Sequence, residues 1–100
     1  MLIKIYIAGK VTGLPAEDVK EKFLRKEKEL TAQGYTVYNP VDQLWVKGGQ
    51  TWTWEKLMRG CITQMMECDE VHLLHDWSES RGARLERDIA ERLGMVVVYP

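Results

Sequence analysis

Residues 54–74 read Trp-Glu-Lys-Leu-Met-Arg-Gly-Cys-Ile-Thr-Gln-Met-Met-Glu-Cys-Asp-Glu-Val-His-Leu-Leu. In the first part Trp54, Leu57, Met58, Cys61, Ile62, Met65 and Met66 recur at i, i+3, i+4, i+7, i+8, i+11 and i+12, the spacing of one helical face. The period then changes. Val71 to Leu74 is a short apolar run, the pattern of a strand covered on both sides. A helix that feeds straight into a buried strand is half of a βαβ unit, and its stripe packs on the sheet. Read as a cofactor box, the same stripe carries no signal.

The alternation continues in both directions. Upstream, Leu2 to Ala8 is apolar except for Lys4 and stops at Gly9. It reads as another buried strand. Lys10 to Pro15 is a loop, and Ala16 to Gln33 is a helix with Val19, Phe23, Leu24 and Leu30 on its apolar stripe and Gly34 as its stop. Tyr35 to Tyr38 is a short strand closed by Asn39-Pro40. Asn39 to Thr53 holds two glycines, Trp45 and Trp52, and is long for a connection, so it is a candidate lid. Downstream, His75 to Ser80 is a loop, Arg81 to Leu93 a helix stopped by Gly94, and Met95 to Tyr99 a last buried strand. The order βαβαβαβ with right-handed crossovers gives a three-layer, doubly wound α/β fold. Its four-stranded parallel sheet is expected in the order 2-1-3-4, as in flavodoxin-like folds, with one domain over residues 1–100.

Composition limits the function. At 100 residues the chain buries roughly 64% of its unfolded surface, enough for one modest core. Hydrophobic residues are 45% and charged residues 29%, which argues against disorder or a coiled coil. Fourteen Lys and Arg face fifteen Asp and Glu, a net charge of −1. No global basic field recruits a nucleic-acid polymer. No apolar run is long enough to span a membrane, and Lys4 interrupts the apolar start, so a signal peptide is not expected. A cytoplasmic location follows as the expectation. If Cys61 and Cys68 lie on one helix, they stand about 10 Å apart along its axis, beyond disulfide reach. They read as reduced thiols. With no ligand spacing for a metal, neither metal nor cofactor is expected.

Ligands of open parallel sheets bind beyond the carboxyl ends of the strands, near the switch point between strands 1 and 3. That rule selects the loops Gly9 to Pro15, Asn39 to Thr53 and His75 to Arg81. The third helix carries the most informative residue. Its stripe reads Gly82, Leu85, Glu86, Ile89, Ala90 and Leu93, with a carboxylate among apolar groups. Such a carboxylate costs several kcal/mol of desolvation unless it is paired. It is either a solvated edge residue, a partner of Arg84 or Arg87, or a nucleophile or base at a cleft floor. Ser80-Arg81-Gly82, ahead of it, supplies a hydroxyl, a guanidinium and an open backbone. That set suits a phosphate or carboxylate as well as it suits an ordinary helix cap.

Three segments taken together carry a family resemblance. Lys4-Ile5-Tyr6-Ile7-Ala8-Gly9, Cys68-Asp69-Glu70-Val71 and Ser80-x-Gly82-x-x-x-Glu86-x-x-x-Ala90 resemble, in that order, segments of the nucleoside 2-deoxyribosyltransferase superfamily. The likeness spans nearly the whole chain and includes the 2′-deoxynucleoside 5′-phosphate N-hydrolases. It implies that Glu86 attacks the anomeric carbon of a deoxyribonucleoside to form a covalent glycosyl-enzyme, which a second base or water then resolves. It implies that Tyr6 orients Glu86 by a hydrogen bond, and that Gly9 lets the backbone approach the sugar. Ser80, where enzymes of free nucleosides carry Asp, favours a 5′-monophosphate, because a hydroxyl can donate to a phosphate that a carboxylate would repel.

The chain also departs from the superfamily pattern. Cys61 stands where an Asp helps protonate the leaving base, Lys10 replaces a proline, and Asp88 replaces a glycine. A thiol with a pKa near about 8.5 is a poor general acid. Asp76 or His75, at the carboxyl end of strand 3, could substitute for it or be solvated loop residues; Asp69, at the other end, reads as structural. The expected site is therefore Glu86 and Tyr6 as catalytic residues, with Gly9, Lys10, Asp76, Ser80, Arg81 and Gly82 as substrate contacts. The expected partner is a nucleoside or nucleotide. The resemblance and the tryptophans, taken as exposed, imply a homo-oligomer, a dimer or higher. The competing class is a non-catalytic nucleotide-binding or sensing domain.

Overall fold

The structure, a computed structural model, describes residues 2–100; Met1, the first residue of the expected domain, lies outside them. Strand β1 (Lys4–Ala8) leads to helix α1 (Ala16–Ala32), β2 (Thr36–Tyr38), α2 (Trp54–Met65), β3 (Glu70–Leu73), α3 (Arg81–Arg92) and β4 (Val96–Val98). The sheet is wholly parallel in the order β2-β1-β3-β4. This is the expected three-layer α/β arrangement.

The two-residue period of β1 builds both halves of the core. Ile5 and Ile7 face α1, where they pack with Val19, Phe23 and Leu30. Tyr6 and Ala8 face the other layer, with Cys61 and Met65 of α2 and Ala83 and Ala90 of α3. In register, Tyr6 lies beside Tyr38 of β2 and Val71 of β3, and the two tyrosine rings stack with centroids 5.9 Å apart. Alternation thus sends one polar aromatic residue into the α2–α3 layer. Gly34 (φ +94°) and Gly94 (φ +74°) stop α1 and α3 in the left-handed conformation that glycine adopts without strain.

Several sequence expectations need correction. Leu2 and Ile3 precede the strand and are exposed. Leu24 lies outside the buried stripe of α1. In α3 the buried residues are Ala83, Glu86 and Ala90, while Leu85 and Leu93 face solvent. The two alanines bring α3 close to the sheet, so the covered face is narrower than the apolar pattern implied. β4 is a half-exposed edge with Val96 55% accessible, not a buried strand, because β3 is its sole neighbour in the sheet.

The segment between β2 and α2 is folded rather than loose. It holds a π-helical turn (Val41–Trp45) and a short 3-10 turn (Gly49–Thr51). Asn39 pins its start: its Oδ1 accepts from the N–H groups of Val41 (3.0 Å) and Asp42 (3.2 Å), and its Nδ2 donates to Glu27 of α1. Gly49 sits so close to the carbonyl of Leu44 that a Cβ there would approach it to 2.8 Å. All four tryptophans are half-buried, so the exposed indoles invoked for an oligomer are absent among the described residues.

Candidate active site

A cleft of about 460 Å³ opens at the carboxyl edge of the sheet. Its walls come from the loop after β1, the folded segment after β2, the start of α2 and the first turns of α3. Tyr6, Gly9, Lys10, Ser80, Arg81, Gly82 and Glu86 all line it. Asp76 and His75 do not.

Glu86 is 5% accessible, at the cleft floor. Neither Arg84 nor Arg87 pairs with it; its partner is the Tyr6 hydroxyl, which donates to Oε2. Burial pushes the Glu86 carboxyl up to about 8, against the opposing pull of the Tyr6 hydrogen bond. Burial, and then the neighbouring Glu86 charge, raises Tyr6 well above the ordinary phenol value. Tyr6 therefore keeps its proton and acts as donor. Its ring cannot swing away, being 1% accessible and stacked on Tyr38.

Cys61 on α2 shares this floor. Burial, reinforced by Glu86, pushes its thiol up to about 12. It is a neutral group that neither attacks nor delivers a proton near neutrality.

The first turn of α3 forms the other end of the cleft. Ser80 caps the helix, its Oγ accepting from the Ala83 N–H at 3.1 Å. That leaves the hydroxyl proton available to a ligand. Arg81 lies over Trp54, its guanidinium carbon 3.6 Å from the ring centroid. Gly82 permits α3 to pass α2, since a Cβ there would meet the Met58 sulfur at 2.9 Å. Gly9 is required for a similar reason: a Cβ would lie 2.7 Å from Leu74. Its small size thus serves packing, at a position that also lines the cleft.

Trp45 lines the cleft, whereas Trp52 packs outside it under the Lys56 ammonium, 4.5 Å from the ring centroid. Trp54 is the cleft residue the sequence reading missed. Its place on the α2 stripe read as sheet packing, but it begins that helix and stands beside the mouth. The Thr53-Trp54 step from cap to first helical residue was its available signal.

Asp69 is structural, as expected, accepting from the Lys4 N–H at 2.8 Å. Asp76 is buried beneath the cleft in an ion pair with Lys22. Among the described residues no group of three His, Cys, Asp or Glu side chains is placed to hold a metal ion, and no helix is long and apolar enough to cross a membrane. No curated protein matches the chain significantly. Over residues 3–99 it matches, and so belongs to, the family described as a domain of unknown function (DUF4406).

Proposed function

We propose that this protein cleaves the N-glycosidic bond of a deoxyribonucleoside 5′-monophosphate through a glycosyl ester on Glu86, as a hydrolase or a 2-deoxyribosyltransferase. The observation that carries this reading is the Tyr6–Glu86 pair at the floor of an otherwise largely apolar cleft. A buried carboxylate costs several kcal/mol, and anion binding alone gains nothing from a second negative charge. The resemblance to the deoxyribosyltransferase superfamily supports the same assignment.

In this account the ionised Glu86 oxygen attacks C1′ while the C1′–N bond breaks, its electron pair leaving on the base, which takes a proton from water. Water or a second base then attacks C1′. The ester bond breaks and restores the carboxylate, and the nucleophile's proton passes to solvent. Tyr6 holds Glu86 on line throughout. Ser80, Lys10 and Arg81 receive the phosphate, and Trp45 and Trp54 flank the base, where stacking contributes roughly 1–3 kcal/mol without strict base choice. Self-association and a cytoplasmic setting belong to the same reading.

One observation favours a second reading. With its carboxyl pushed up to about 8, Glu86 is mostly protonated at pH 7, and Cys61 supplies no acid. That suits a domain that binds nucleotide without cleaving it. Incubation with each of the four deoxyribonucleoside 5′-monophosphates at about pH 8, followed by chromatography, separates the two. Free base supports the enzyme. Binding without release of base from any of the four supports the sensing domain.

A further inference from the structure

Asp76 lies three residues beyond β3, where the sequence reading expected a ligand contact, yet the cleft does not include it. Its carboxylate is turned into the protein. Oδ2 accepts from the Lys22 ammonium at 2.5 Å, and Oδ1 accepts from the backbone N–H of Lys10 at 3.0 Å. The same Lys22 ammonium donates to the backbone carbonyl of Lys10 at 2.6 Å. Both peptide groups of one residue are thus held by one largely buried ion pair. Lys22 comes from α1, Lys10 from the loop after β1, and Asp76 from the turn that leads to Ser80 and Arg81. Of the three, only Lys10 lines the cleft.

We infer that Lys22 and Asp76 are positioning residues, an ion pair that fixes the Lys10 backbone so that the Lys10 ammonium and the Ser80–Gly82 turn converge on one anionic group. The inference rests on the nucleotide reading only in naming that anion as a 5′-phosphate. The chemistry favours a positioning role over a purely stabilising one. Two ions are costly to bury, and an apolar pair of similar size is commonly as stable or more so. What apolar side chains cannot do is accept the Lys10 N–H and donate to its carbonyl at once. Charge-assisted hydrogen bonds at both peptides of a single residue give directional control that packing lacks. Burial alone would raise the Asp76 carboxyl, but the Lys22 and Lys10 hydrogen bonds outweigh it and hold it below its ordinary value. Asp76 therefore stays ionised at neutral pH.

The test compares the single variants Lys22→Met and Asp76→Leu, the double variant and Lys10→Met, each titrated by calorimetry with inorganic phosphate, a deoxyribonucleoside 5′-monophosphate and the matching free deoxyribonucleoside. Each single variant leaves one buried charge unpaired, so both lose thermal stability. The double variant removes both charges and regains most of that stability. Its affinity for phosphate and the monophosphate nevertheless stays about tenfold or more below the parent, while the free nucleoside is unaffected. Lys10→Met reproduces the loss, and adding it to the double variant costs little more, because both act through one ammonium. Parent-like phosphate affinity in the double variant overturns the positioning role, as does equal weakening of nucleoside and monophosphate. A parent that binds no inorganic phosphate also overturns it. If the parent binds phosphate but no nucleotide, the nucleotide reading fails and the phosphate arm still decides the role of the clamp.

Discussion

Glu86 concentrates the physical conflict in this molecule. Folding takes a carboxyl from its ordinary value of 4.5 up to about 8 because it buries the group, and Tyr6 offsets only part of that cost. The sign of the resulting pH dependence follows directly. Between those two values the folded state holds a proton that the unfolded chain has lost, so stability falls as pH rises through the window. Glu86→Gln removes the titration while keeping the Tyr6 contact. The two proteins should unfold at similar urea concentrations near pH 5. By about pH 8 the variant should be the more stable, the gap widening by about 1.4 kcal/mol per pH unit at most. Urea midpoints across that range check it. A constant gap would mean that Glu86 ionises in the folded protein as freely as in water.

At the scale of elements, α3 does two jobs with its first turn. Ser80 Oγ satisfies the Ala83 N–H, and its hydroxyl keeps a proton to donate at the cleft wall. Ser80→Ala confuses the two roles by removing both. Ser80→Asp separates them, since Asp caps helices as well as Ser but turns a donor into a negative charge. Thermal stability should stay near the parent, affinity for a 5′-monophosphate should fall by at least about tenfold, and a free deoxynucleoside should bind as before. Calorimetry with both ligands measures this, and equal losses would reduce Ser80 to a cap. Glu86 on the covered side of α3 was legible in the sequence because a carboxylate interrupted a 3.6-residue stripe. The width of that stripe was not. It depends on how closely Ala83 and Ala90 let the helix approach the sheet, which left Leu85 and Leu93 in solvent. Asp76 was misread for a different reason: its partner Lys22 lies 54 residues away on α1, and no local pattern announces a long-range ion pair.

For the whole molecule, the strand order and the cleft's place at the carboxyl edge followed from element order and crossover handedness. The folded segment between β2 and α2 did not. Its length and glycines signalled a lid, but Asn39 and the buried Val41 tie it to α1. Of the segment's two tryptophans Trp45 reaches the cleft, while Trp52 is held by Lys56. Saturating nucleotide should therefore quench indole fluorescence in the parent and in Trp52→Phe, with a smaller change in Trp45→Phe. A quench abolished by Trp52→Phe instead would place the base elsewhere.

The covalent role of Glu86 is the centre of the account, and base release by the parent and by Glu86→Gln, side by side on the same deoxyribonucleoside 5′-monophosphate, tests it most directly. Gln keeps the size of the side chain and its contact with Tyr6 but cannot form the ester. Release should drop by several orders of magnitude, while the variant binds the nucleotide as tightly as the parent or more so. A Glu86→Gln protein that frees base at the parent rate would contradict the account.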